Sequence, residues 1–346
     1  MNLQTYATEA EWLAARKEVP HSIGGSDVAA IMDRSPESWG AGPWTLWARA
    51  QGLPLPGFTP AERADLARGQ RWERHILTEW ADAEGVELTL SGRRAIVRSE
   101  AHPWAAFSPD DIAMYDDRNV LVEVKTARNG AGSYPEHGAD LTADEATAQI
   151  PAHYLLQILW GLHLTGLASA VLLVCIPRPG DWPETRAITI HADPAIQADL
   201  FAEVSERRER WLVNGERPPT DGSADCRASL SALFPGRPDK PMLTATGEAR
   251  QLALDLAAMK AERDVLDKRI STASNELLAA IGDAYGMTVD PGTGKIGKVL
   301  AIRSAGRRTL SLSRIERDAP DLYTLIESRG LIDQGEPSTS LRTYGL

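Results

Sequence analysis

The sequence predicts an α/β fold, a mixed sheet flanked by helices, followed by an extension built from a long helix and a β-hairpin. Three observations lead there. Residues 107–125, FSPDDIAMYDDRNVLVEVK, read as two strands around a polar turn. Around them, helix-like and strand-like stretches follow the order α–β–β–β–α–β. All ten tryptophans lie at or before Trp211. That composition break separates a compact domain at 1–213 from a linker at 214–242 and an extension at 243–346.

Composition bounds the answer. With 346 residues, 43% of them hydrophobic, the chain can bury a sizeable core in more than one domain. No apolar run is long enough to span a bilayer, and the first twenty residues lack an apolar signal core. Cys175 and Cys226 are too few for a zinc or iron–sulfur site of cysteines alone. They fit a reducing compartment, so a cytoplasmic protein is expected. The net charge of −11 disfavours general coating of nucleic acid, but leaves room for a local basic track.

Residues 7–16 read as a short helix. The glycines of His21-Ser-Ile-Gly-Gly-Ser-Asp lead into a helix N-terminus, where Ser26 can either cap or face an anion. Residues 60–85 form a long helix. Leu66, Gly69, Glu73, Leu77 and Trp80 share one stripe of it. Glu73 is thus a carboxylate on an apolar stripe, either reaching solvent at its edge or needing a cation or proton. Strands are expected at 87–91, 93–98, 104–114 and 119–126. In the last, Val120, Val122 and Val124 face one way, while Leu121, Glu123 and Lys125 face the other. Asp110, just after Ser108-Pro109, is brought toward Glu123 when the two strands pair. An E-x-K on a strand is by itself most often a solvated face. Here the apolar neighbours and the upstream Asp set it apart. Two carboxylates and an ammonium at a strand end suit a hard divalent cation, Mg²⁺ or Mn²⁺.

A polar loop is expected at 128–150, then a helix at 151–166 carrying Gln157 among apolar neighbours. Strands follow at 169–177 and 185–191, and a helix at 194–213. Residues 214–242 are rich in Pro, Gly and Asp and read as linker. Residues 244–286 read as a packing or coiled-coil helix with an interrupted apolar stripe. A hairpin is expected at 294–313. Between Lys295 and Arg317 lie seven Lys/Arg against one Glu. Lys295, Lys298, Arg303, Arg307 and Arg308 are therefore candidates for DNA-backbone contact, against the alternative of a solvated face. Gly292–Lys298 fits G-x-x-x-x-G-K, but Val299 follows where a Ser or Thr must hold Mg²⁺. ATP binding there is not expected.

Pro109-Asp110…Glu123-x-Lys125 resembles the restriction-endonuclease-like PD-(D/E)XK nuclease core. In fuller form, IGGSDVAAI, RGQRWE, SPDD…LVEVKT and IPAHYLLQILWGLHLTG together resemble the YqaJ-type viral recombinases, the lambda-exonuclease family. The resemblance spans most of residues 9–213. It implies a metal-dependent, ATP-independent 5′→3′ exonuclease on double-stranded DNA ends. The two cysteines speak against the iron–sulfur cluster that some related nucleases carry. Such enzymes supply single strands for recombination, usually beside a single-strand annealing protein, and relatives form ring-shaped trimers. By resemblance, Asp110, Glu123 and the Val124 carbonyl would hold Mg²⁺, with Mn²⁺ as substitute, and Glu73 would complete the site. Lys125 would orient the nucleophile, and Gln157 would support Lys125 or the water. Ser26 and Ser108 would receive the terminal phosphate. The family's upstream Arg corresponds to Arg16, at a longer spacing. A structure-specific or restriction-like endonuclease on the same core is the alternative enzyme. A DNA-binding scaffold without catalysis is the third reading, disfavoured by the intact Asp110, Glu123 and Lys125.

Overall fold

A computed structural model describes residues 2–36, 41–55, 57, 59–115, 117–127, 134–176, 183–236, 241–284, 286–289, 298–302 and 312–329. The chain divides into two compact units, Met1–Pro235 and Gly236–Leu346.

The first unit opens with strand β1 (Asn2–Tyr6) and helices α1 (Glu9–Lys17), α2 (Gly25–Ile31), α3 (Pro43–Ala50) and α4 (Pro60–Glu84). Strands β2 (Glu87–Leu88), β3 (Arg94–Arg98), β4 (Ala106–Phe107), β5 (Asp111–Tyr115), β6 (Arg118–Thr126) and β7 (Asp140–Leu141) follow. Helices α5 (Ala143–Gln149) and α6 (Ala152–Thr165) then cross to β8 (Ser169–Ile176) and β9 (Glu184–His191). Helix α7 (Pro194–Arg207) runs on through a π-helical turn at Arg208–Val213, and α8 (Ala224–Leu233) closes the unit.

Six strands form the main sheet in the order β2-β5-β6-β8-β9-β7. It is mixed: β5 and β6 are an antiparallel hairpin, while β6 and β8 run parallel across the helical crossover. Helices cover both faces. On one, Ile76, Leu77 and Trp80 of α4 pack with Val120, Val122 and Val124. On the other, Leu121 joins Ile158 and Leu162 of α6. The period-two alternation of β6 thus divides the two cores as the sequence predicts.

A second sheet, β1-β3-β4, lies apart from the main one. It corrects the expected continuous strand at 104–114: β4 pairs with β3, and β5 pairs with β6. Ser108-Pro109 separates them, because proline cannot donate to a ladder. The hairpin turn is also tighter than expected. Tyr115 already pairs with Arg118, and Asp117 takes the left-handed φ of 58° that such a two-residue turn needs.

Residues 214–235 are not linker. Asp225 of α8 accepts from the Thr45 N–H at 3.1 Å, and Ser229 donates to the Trp44 carbonyl at 3.1 Å. The indoles of Trp44 and Trp47 donate to the carbonyls of Pro219 and Gly215. A Pro- and Asp-rich composition hides this docking, in which caps and backbone acceptors act beside Cys226, Leu230 and Leu233, which pack on the main core.

The second unit holds α9 (Gly247–Ile281), the antiparallel pair β10 (Gly286–Val289) and β11 (Lys298–Ile302), and helices α10 (Leu312–Asp318) and α11 (Pro320–Ser328). The expected hairpin at 294–313 is thereby corrected. Lys298–Ile302 pairs backward with Gly286–Val289, and Leu312 already begins a helix.

Candidate active site

The site is built where β5 begins and β6 ends. Ladder pairing stops at Asp111↔Val122. The next free donor on β6, the Val124 N–H, therefore goes to a side chain, and the Asp110 carboxylate accepts it at 2.7 Å. Glu123 is fully buried. Its Oε1 accepts from both the Lys125 ammonium and the Gln157 amide, while its Oε2 has no partner. Gln157 thus meets Glu123 rather than Lys125. Lys125 is largely buried, with its ammonium 5.4 Å from the centre of the Tyr154 ring.

Asp110 and Asp111 are consecutive and serve different ends. Asp111, also fully buried, accepts from the N–H groups of Leu90 and Ile112, both at 2.8 Å. It pins the turn between β2 and β3 to the sheet. Only Asp110 faces the Glu123–Lys125 end of the hairpin.

Electrostatics bind these groups into one cluster. Burial, then the neighbouring Asp110, pushes Glu123 up to about 8, against the pull of Lys125. Burial and Asp110 likewise push Glu73 up to about 7. Burial raises Asp110 above the ordinary carboxylate range. The carboxylates outweigh burial at Lys125 and hold its pKa above the ordinary lysine value, so it stays charged. Among the described residues, no three His, Cys, Asp or Glu side chains are drawn up as a ready-made chelate. Glu73 comes from α4 and Glu123 from β6, and Asp110 raises both.

The donor set nevertheless suits a hard divalent cation. It is all oxygen, it includes a buried carboxylate oxygen without a partner, and its acids hold protons that a cation would displace. The residues present fit the group.

Beside this cluster the chain folds a polar shelf. Ile23 is stitched to the strand before Phe107 by hydrogen bonds to Trp104 and Ala106, which sets α2 against β4. Gly25 packs directly on Phe107 and Gln157, and Ser26 is exposed on the first turn of α2. Ser108 accepts from the Trp12 indole at 3.2 Å. Two guanidinium groups cover that indole, Arg16 at 4.7 Å and Arg94 at 4.9 Å. Asp27, whose carboxylate accepts from the Gly24 N–H at 3.0 Å, also feels Arg16. The structure therefore brings Ser108 and Arg16 to one indole and sets the helix of Ser26 against Phe107 and Gln157. Arg94, and the stacking role of Trp12, were not legible, because a cation–π contact leaves no spacing in sequence.

The candidate DNA contacts in the second unit stand differently. Lys295, Arg303, Arg307 and Arg308 lie outside the described residues, as does the side chain of Lys298.

Residues 11–168 match the YqaJ-like viral recombinase domain family. This segment is similar to that family, and the match covers a little under half of the chain. The match takes in every candidate site residue of the first unit, from Arg16 to Gln157, and ends just before β8. Comparison with curated proteins yields no match. Among solved structures, the chain is similar to the alkaline exonuclease LHK-Exo from Laribacter hongkongensis and to LHK-Exo in complex with dAMP. Both are 19% identical, with 59% of this chain aligned to 93% of theirs, at TM-scores of 0.41 and 0.42. No helix among the described residues is long and apolar enough to cross a membrane.

Proposed function

We propose that this chain is a metal-dependent, ATP-independent exonuclease that resects double-stranded DNA ends in the 5′→3′ direction. The single strands left behind would serve recombination by annealing, beside a single-strand annealing protein. One observation carries the reading. In a segment that matches the YqaJ-like viral recombinase family, Asp110, Glu123 and Lys125 meet at one strand end, and Glu123 keeps a buried oxygen without a partner.

Asp110, Glu123 and the Val124 carbonyl would hold Mg²⁺ or Mn²⁺, with Glu73 acting directly or through water. Bound there, the cation supplies charge stabilisation at the phosphate and a coordinated water of lowered pKa. The chain does the rest. Lys125, kept charged by its carboxylate neighbours and directed by Tyr154, places an ammonium beside the scissile phosphate and orients the attacking water. Gln157 fixes the Glu123 carboxylate through Oε1, leaving Oε2 to act as donor. Ser26 and Ser108 receive the terminal phosphate. Arg16, braced on Trp12, offsets its charge, and Arg94 braces the same ring from its own side.

A linear duplex labelled separately at its 5′ and 3′ termini, incubated with Mg²⁺ and no ATP, tests the reading. The 5′ label should leave first, as mononucleotide. Loss of the 3′ label first refutes the polarity, and cleavage of closed circular duplex refutes end dependence.

A further inference from the structure

The second unit presents an apolar face that its own helix cannot bury. Helix α9 is 35 residues long, about 50 Å at 1.5 Å per residue. From Leu252 to Ala280 its positions recur in strict alternating steps of four and three. Leu252, Leu256, Met259, Leu266, Ile270 and Leu277 occupy that seam, Ala273 and Ala280 complete it, and Arg263 is its single charge. This is the 3.5-residue repeat of a coiled-coil seam sustained over four heptads, narrower than the stripe of a helix packed on a globular core. Yet Leu252, Met259, Leu266 and Ile270 are 69%, 62%, 50% and 54% exposed. Elsewhere on α9 only Ile281, its last residue, is buried.

The charges beside the seam choose the occupant. If α9 meets an antiparallel copy of itself with Arg263 opposite Leu266, Glu262 falls beside Arg269 of the second copy, and Lys260 beside its Asp267. Two-fold symmetry makes each of these attractions occur twice. Against these four attractions stands one outer clash, Asp255 with Glu276, which the same axis repeats to make two. In a parallel pair, Asp255 meets Lys260 but Glu262 meets Asp267, so attraction and repulsion cancel. The seam charge itself is tempered within its own helix, where Arg263 pairs with Asp264 at 3.2 Å and Asp267 at 3.8 Å. A single polar seam residue costs stability and fixes register.

We propose that α9 docks antiparallel on α9 of a second copy of this chain, joining two molecules through their second units. The proposal is independent of the nuclease reading and stands or falls without it.

Sedimentation equilibrium of the full chain is the primary measurement. The wild type should associate, and Leu266→Asp with Ile270→Asp should leave it monomeric. Charge reversal reads the orientation. Glu262→Lys should weaken association about tenfold, since two attractive pairs become repulsive, and adding Arg269→Glu should restore it. A cysteine test is independent of affinity. Cys175 and Cys226 are buried, so an introduced thiol is the reactive one. Under mild oxidation, Leu252→Cys mixed with Leu277→Cys should form the mixed disulfide, and Leu252→Cys alone should not dimerise covalently. A monomeric wild type, an assembly indifferent to the Leu266/Ile270 pair, or tighter association of Glu262→Lys overturns the proposal. The last outcome is the one a parallel pair would give.

Discussion

Phe107 is clamped between two glycines, and replacing either tests whether the site depends on that fit. A Cβ added at Gly25 would lie 2.9 Å from both Cδ2 and Cε2 of Phe107, and 3.1 Å from Cγ of Gln157. The ring cannot retreat. On its far edge, a Cβ at Gly161 would lie 2.7 Å from Cζ and 2.8 Å from Cε1. Ordinary carbon contacts sit near 3.5–4.0 Å, so Gly25→Ala must displace backbone or Gln157. Overpacking of this kind costs about 2–3 kcal/mol, and alanine's helix propensity returns less than about 1 kcal/mol. The net loss of about 1–2 kcal/mol should lower the melting temperature by about 2–8 °C. Activity should fall further than stability explains, because Gln157 is pushed from Glu123. Calorimetry with a double-mutant cycle checks the cause: Phe107→Leu should relieve Gly25→Ala, giving a coupling above about 1 kcal/mol. Wild-type melting of Gly25→Ala, or strict additivity in the cycle, refutes the clamp.

Proton linkage gives a second expectation. With Glu123 near 8 and Glu73 near 7, Mn²⁺ binding at pH 7 should release at least about one proton, and far less from these two acids at pH 9. Affinity should therefore rise steeply, by on the order of a hundredfold or more, from pH 6 to pH 9. Calorimetry in buffers of differing ionisation enthalpy measures the release, and its absence at pH 7 removes these acids from the site. The sign for folding is opposite. Carboxylates raised above their ordinary 4.5 favour the metal-free fold at low pH, and that contribution is lost as pH climbs through about 7 and 8. Thermal melts in EDTA against pH, compared with Glu73→Gln, should show this loss shrinking in the variant. Lys125→Ala should cut turnover by at least about a hundredfold while sparing Mn²⁺ affinity, and Lys125→Arg should not rescue it, since a planar fork cannot replace a compact ammonium. Calorimetry showing lost Mn²⁺ affinity would reassign Lys125 to assembling the site. Neutralising Arg307 and Arg308 together should weaken duplex binding and reduce the log–log salt slope by about 0.9 per lost phosphate contact. An unchanged slope makes the basic stretch a solvated or protein-facing surface.

What the sequence revealed follows from what repeats in it. The alternation of Val120–Lys125 marks both the sheet faces and the odd pair Glu123 and Lys125, because period two is unambiguous in a strand. Glu73 stands out for the same reason on a 3.6-residue stripe. Strand β1 was not legible, since NLQTY is largely exposed and owes its conformation to pairing with β3. Helix α8 was hidden by turn-rich composition, and is secured by Asp225 and Ser229 acting on α3. The separate duties of Asp110 and Asp111 depend on where ladder pairing ends, which no local pattern marks.

Strand β6 lies inside the main sheet, hydrogen-bonded to β5 on one side and to β8 along six successive residues on the other. Past Val122 the β5 ladder has ended, so the amides around Glu123 are held by β8 and, at Val124, by the Asp110 carboxylate. Strand β8 is itself paired on both sides, so their exchange requires opening of the central sheet. Frayed ends of the first unit can fluctuate without disturbing the carboxylates. Heat inactivation should then track the global transition of the first unit rather than any earlier local melting. The slowest-exchanging amides should be those that flank the reacting groups.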